Sequence, residues 1–67
     1  MTLHQLLLNR KIVNVRYMTK NEVDNHMWSR AAIVITLDNG VSFYPSKDEE
    51  GNEAGVLFTT HGEFQVI

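Results

Sequence analysis

The sequence predicts a small α+β domain: a bent antiparallel sheet or SH3-like open barrel of about five strands, with one short packed helix and an N-terminal helical turn. Three observations carry this expectation. Helix-start signatures stand at Thr2 with Gln5, Thr19 with Glu22 and Ser46 with Glu49. In each, a hydroxyl and a side chain three residues later can satisfy orphan amides reciprocally. Alternating or β-branched apolar runs fill the space between these signatures. Two glycine-bearing turns, Asp38-Asn39-Gly40 and Thr60-His61-Gly62, join runs whose apolar faces match across a three-residue loop.

The first signature opens a leucine-rich turn or two ending near Asn9, a residue that tolerates a left-handed helix end. Lys11 to Met18 then alternates, with Val13, Val15 and Tyr17 on one face and Asn14 and Arg16 on the other. The second signature is the most complete. Met18 precedes the Thr19 cap and Val23 occupies the fourth helical position, which makes a hydrophobic staple. Met27 lies one turn beyond Val23 on the same face, so a helix is expected over about Lys20 to Trp28. Ala32 to Leu37 is continuous and β-branched. It reads as the central strand, buried on one face and partly covered on the other. The third signature opens a single turn closed by Gly51.

Side-chain faces set the turn lengths. A two-residue Asn-Gly loop would oppose Leu37 and Ser42, mixing apolar and polar positions. A three-residue loop with Gly40 left-handed opposes Leu37 to Val41 and Ile35 to Phe43, keeping one face apolar. The same reasoning at Thr60-His61-Gly62 opposes Phe58 to Phe64 and Val56 to Val66. A short helix covers such a sheet only in part, so the sheet must curl on itself or use a second copy. The final strand reaches Ile67 without a charged tail, an edge open to another chain, and a homodimer is therefore expected.

Sixty-seven residues make one small domain, and chains of this size bury only about 60% of their unfolded surface. Cysteine is absent, which excludes disulfides and thiolate zinc sites. A net charge of −2 supplies no basic field for a phosphate backbone, so nucleic acid is disfavoured as a partner. No apolar stretch approaches the roughly 18 residues that span a membrane. Leu3, Leu6, Leu7 and Leu8 form too short a run for a signal-peptide core and follow no basic leader. These features predict a soluble, cytoplasmic protein.

Chemistry points first to Tyr44–Gly55, where Asp48, Glu49, Glu50 and Glu53 crowd into one polar segment. With Asn52 they offer hard oxygen ligands, yet their spacing is not that of an EF-hand loop. Carboxylates in the first turn of a capped helix account for the segment without a cation. His4, His26 and His61 share no metal-binding spacing, and zinc needs three converging ligands. Ser29, Ser42 and Ser46 lack a glycine-rich elbow, and no phosphate-binding loop is present. The expectation is therefore no enzyme, no cofactor and no metal.

Trp28, Arg30 and Tyr44 belong to the residue types that dominate binding hot spots. Trp28 reads more readily as a core plug at the helix-to-sheet junction. A nucleic-acid platform would instead recruit Arg10, Lys11, Arg16 and Arg30 beside Tyr17 and Tyr44.

The segments VRYMT, a helix ending in Trp, LDNG, and YPSKDEEGNEAG followed by VLF cover roughly residues 11–59. Together they resemble a pattern in short, uncharacterised bacterial and bacteriophage proteins. The resemblance implies a compact stand-alone domain in a bacterial or phage setting and brings no activity with it. The function expected is binding of a protein partner through Trp28, Arg30, Tyr44, Asp48, Glu49, Glu50 and Asn52. In a phage that partner would be a host enzyme or defence system. The alternative is a small nucleic-acid-binding β-barrel.

Overall fold

The computed structural model describes residues 2–67. Its elements are α1 (Leu3–Leu7), β1 (Ile12–Tyr17), α2 (Lys20–His26), β2 (Ile33–Leu37) and β3 (Ser42–Phe43). The strands form one open antiparallel sheet in the order β1-β2-β3. The α+β class holds. The strand count is three rather than about five: the second hairpin, expected as two strands, is reduced to an isolated bridge at Phe58–Val66, and a further bridge at Ser46–Ala54 lies where a helical turn was expected.

Both helices begin as their capping boxes require. Thr2 Oγ1 accepts from the Gln5 amide at 3.2 Å, and Gln5 Oε1 accepts from the Thr2 amide at 2.8 Å. Thr19 and Glu22 repeat the exchange at 3.2 and 2.9 Å. Asn9 adopts the expected left-handed conformation after α1, with φ of 60°.

The second helix ends sooner than its apolar spacing suggests. Met27 turns left-handed at φ 57°, ψ 33°. Its amide donates to Asp24 O, and the Trp28 amide reaches back to Val23 O at 3.0 Å. These two bonds form a Schellman motif, with Val23 and Trp28 meeting at its apolar contact. Met27 is consequently thrown outward, 88% exposed, instead of continuing the Val23 face.

In β2 every residue but the half-buried Thr36 is buried, and apolar material covers both faces. On one side Met18, Trp28, Ala32, Val34 and Ala54 form a core against which Val23 packs, so the Met18–Val23 staple is in place. On the other side Ile33, Ile35 and Leu37 are covered by Leu57 and Ile67. The C-terminal segment thus supplies the second layer that α2 is too short to provide.

The first hairpin follows the face-matching rule. Ile35 opposes Phe43, the Leu37 amide donates to Val41 O at 2.9 Å, and Gly40 is left-handed at φ 85°. The second hairpin does not. Leu57 and Ile67 exchange both backbone bonds at 2.8 Å, and Phe58 opposes Val66, not Phe64. The pairing is shifted by two residues and the loop is longer. Thr59 takes part in closing it: its hydroxyl donates to Phe64 O and accepts from the His61 amide. Both registers place Phe58 and Val66 on one face and Leu57 and Ile67 on the other. The structure buries the latter pair and leaves Phe58 82% exposed.

A bulge interrupts β1. Ile12 opposes Leu37 while Asn14 opposes Thr36, so Val13 is the extra residue. The bulge places Ile12 on the Val15–Tyr17 face, which the simple alternation had not done. All of β1 is exposed.

Candidate functional site

The polar segment 45–55 is an internally bonded loop docked on the end of α2. The Ser46–Ala54 bridge closes its base, with the Lys47 amide donating to Glu53 O at 3.0 Å and the Gly55 amide to Pro45 O at 2.9 Å. A helical turn capped by Ser46 does not form. The Ser46 hydroxyl donates to Glu53 O at 3.0 Å, so it is spent on closing the base.

Asp48 organises the tip. Its Oδ1 accepts from the amides of Glu50 and Asn52, both at 3.1 Å, and its Oδ2 accepts from the Asn52 side chain at 2.8 Å. The Asn52 side chain, and then the Asn52 and Glu50 amides, hold the Asp48 carboxyl below its usual range. Gly51 turns left-handed there at φ 73°. Gly55 serves another need: a Cβ at this position would lie 2.9 Å from the Ser46 carbonyl carbon.

Two contacts fasten the loop to the helix end. Trp28 Nε1 donates to Gly51 O at 2.8 Å, and the Ser29 amide donates to Glu53 Oε1 at 2.7 Å. The Ser29 amide, followed by that of Ala54, keeps the Glu53 carboxyl below its usual range.

Beside the loop sit three rings. His26 lies 4.7 Å from Trp28 and 5.6 Å from Tyr44 between ring centroids, and Trp28 and Tyr44 are 6.1 Å apart in an edge arrangement. His26 Nδ1 is 2.9 Å from Glu22 O, so it donates there; in the neutral ring Nε2 then accepts from the Tyr44 hydroxyl at 3.4 Å.

The fold therefore brings Trp28, Tyr44 and the acidic loop together. Trp28 is the core plug, 6% exposed, and lies beneath the surface that Tyr44 presents. Arg30, Glu49 and Glu50 are exposed, while the polar groups of Asp48 and Asn52 are committed within the loop. His26 and Glu53 complete the arrangement and were not among the expected site residues. Glu53 meets Ser29 across 24 positions, and no local pattern announces a contact of that span.

Among the described residues, no group of three His, Cys, Asp or Glu side chains is placed to hold a metal ion. No helix among them is long and apolar enough to cross a membrane. Outside this region lies an open apolar depression of about 260 Å³ lined by Leu3, His4, Leu7 and Leu8. No protein-family model, curated protein or solved structure matches the chain.

Proposed function

We propose that this chain is a non-catalytic interaction protein that binds a protein partner through the acidic loop and Tyr44. The observation supporting this reading is preorganisation. The loop is held by Asp48 at its tip, the Ser46–Ala54 bridge at its base and Trp28 beneath it. A rigid loop loses little conformational freedom on binding, which leaves more of the contact energy for affinity. Glu49 and Glu50 would steer a basic partner, with Tyr44 as anchor and Arg30 at the rim. Trp28 and Asn52 contribute by holding this surface in shape. In the bacterial or phage cytoplasm suggested by the motif resemblance, the partner class is a host enzyme or defence component.

A nucleic-acid-binding barrel is the weaker alternative. Arg16 is paired with Glu22, and the Arg10 guanidinium caps Gln5 O at 2.9 Å, so two of its four cations are engaged within the chain. It also needs a closed or strongly curled sheet.

Capture from nuclease-treated bacterial lysate tests the proposal, comparing wild type with the Glu49→Lys, Glu50→Lys double variant and with Tyr44→Ala. The Glu49 and Tyr44 side chains lie outside the bonds that build the loop tip, and the Glu50 side chain adds to them only a 3.3 Å contact from the Asn52 side-chain amide. A protein retained by wild type and lost by both folded variants is the expected result. Equal retention by all three would move the site off the loop, and steeply salt-dependent retention of nucleic acid instead would favour the alternative.

A further inference from the structure

The chain exposes 5301 Å², whereas a folded monomer of 7.7 kDa is expected to expose about 4,300 Å². Its radius of gyration is 12.9 Å, against about 11 Å for a compact domain of this length. The surplus of about 1,000 Å² is close to the roughly 800 Å² that each partner gives up in a standard interface. Within a single strand, β1 holds a run of exposed apolar side chains: Ile12, Val13, Val15 and Tyr17 are each more than half exposed.

The outer edge of β1 carries matching backbone chemistry. The Met18 amide donates to Ala32 O at 2.9 Å. By the alternation of antiparallel pairs, Asn14 and Arg16 also turn their backbone groups toward β2. Those of Val15 and Tyr17 then face the free edge, where no strand pairs among the described residues and the Tyr17 carbonyl accepts from Arg16 Nη1 at 3.2 Å, leaving its second lone pair for a partner strand. Edges are commonly protected by proline, by lysine or by a bulge. β1 has the bulge at Val13 and one charged side chain, Arg16, whose charge is paired with Glu22; the stretch beyond the bulge is regular.

We propose that β1 pairs with β1 of a second copy, antiparallel about a two-fold axis at Val15, to give a continuous six-stranded sheet. In this register Val15 opposes the partner's Val15, Tyr17 opposes the partner's Val13, and Asn14 opposes the partner's Arg16. Moving the axis to Arg16 would set like charges directly opposite each other, which is unfavourable. The seam holds no carboxylate of its own strand, and the one ionic side chain, Arg16, is neutralised by Glu22 at 2.6 and 3.0 Å. That apolar, self-complementary seam favours a copy of the same chain over a charged foreign segment. The acidic loop contributes nothing to it, so this inference is independent of the function proposed above.

Sedimentation equilibrium across a wide concentration range is the test. Wild type is expected at twice the 7.7 kDa chain mass, and Val15→Lys at the chain mass, with an unchanged circular-dichroism spectrum. Val15 is 52% exposed in the single chain, so lysine is tolerated there unless a second strand covers it. The chain has no cysteine, so Val15→Cys adds one thiol, placed at about the 5.5 Å Cα separation that a disulfide needs in this register. Under mild oxidation it is expected to cross-link much faster than Leu8→Cys, at the exposed C-terminal cap of α1. A wild-type mass of one chain at every concentration would overturn the inference. So would a Val15→Lys dimer, or equal cross-linking by the two cysteine variants.

Discussion

The indole N–H of Trp28 donates to the carbonyl of Gly51 at 2.8 Å. This bond joins the end of α2 to the acidic loop and crosses 23 positions of sequence. It makes one side chain responsible for both a core and the surface above it. Trp28→Phe keeps most of the apolar contact and removes the donor. The expected cost is about 1 kcal/mol for the hydrogen bond, with a further loss from the smaller ring. Trp28→Ala should cost about 3–5 kcal/mol, comparable with the whole stability of so small a domain. Urea midpoints would separate the two, and an unaltered midpoint for Trp28→Phe would show the bond to be dispensable.

Asp48 is predicted to order the loop tip without setting the stability of the sheet. In Asp48→Ala the amides of Glu50 and Asn52 lose their shared acceptor. Their hydrogen exchange should accelerate while that of Val34 and Ile35 in β2 stays slow. Equal acceleration in loop and strand would mean that the loop is not a separate unit.

The two loop glycines should respond to alanine for different reasons. At Gly51 nothing lies within 4 Å of a built Cβ, and the φ of 73° is the obstacle. Gly51→Ala should therefore cost about 1 kcal/mol, and Gly51→Asn less. At Gly55 the obstacle is the Ser46 backbone 2.9 Å away, so asparagine should be worse than alanine. Melting temperatures of the four variants check this reversal of order.

The Arg16–Glu22 pair predicts a specific acid limb. The Arg16 hydrogen bonds, followed by the Thr19 amide, lower the Glu22 pKa from 4.5 to about 2. A depressed carboxylate stabilises the fold above its unfolded pKa, and that contribution disappears as pH falls through the folded value. Wild type should thus lose stability between pH 4.5 and about 2. Glu22→Gln retains a capping side chain and removes the titration, so its stability should fall less steeply across this window. Asp48 and Glu53, also held below their usual range, sustain the remaining slope. Parallel acid-melting curves for wild type and Glu22→Gln would refute the assignment.

Local chemistry made part of this fold legible. A hydroxyl three residues before Gln5 or Glu22 determines where a helix starts, because both partners lie within one turn. Gly40 and the matching faces of Ile35 and Phe43 set the first hairpin in the same way. Ser46 shows the limit of such rules. Its spacing to Glu49 fits a cap, but its hydroxyl donates to Glu53 O, which only the folded loop brings near. At the site, the crowding of carboxylates marked the segment. The contacts that shape it, Trp28 with Gly51 and Ser29 with Glu53, left no periodic trace.

The amino-acid sequence by itself determined the helix starts, the first turn, the central strand and the place of the acidic segment, since each depends on neighbours a few residues apart. Tertiary structure alone decided which face of the C-terminal ribbon turns inward. Face matching pointed to Val56, Phe58, Phe64 and Val66 as the apolar face, yet Leu57 and Ile67 form a second apolar pair, and it is this pair that packs inward. The choice fell to Ile33, Ile35 and Leu37, whose uncovered face accepts Leu57 and Ile67. Burial is a property of the facing surface, and that surface exists only once the sheet has formed.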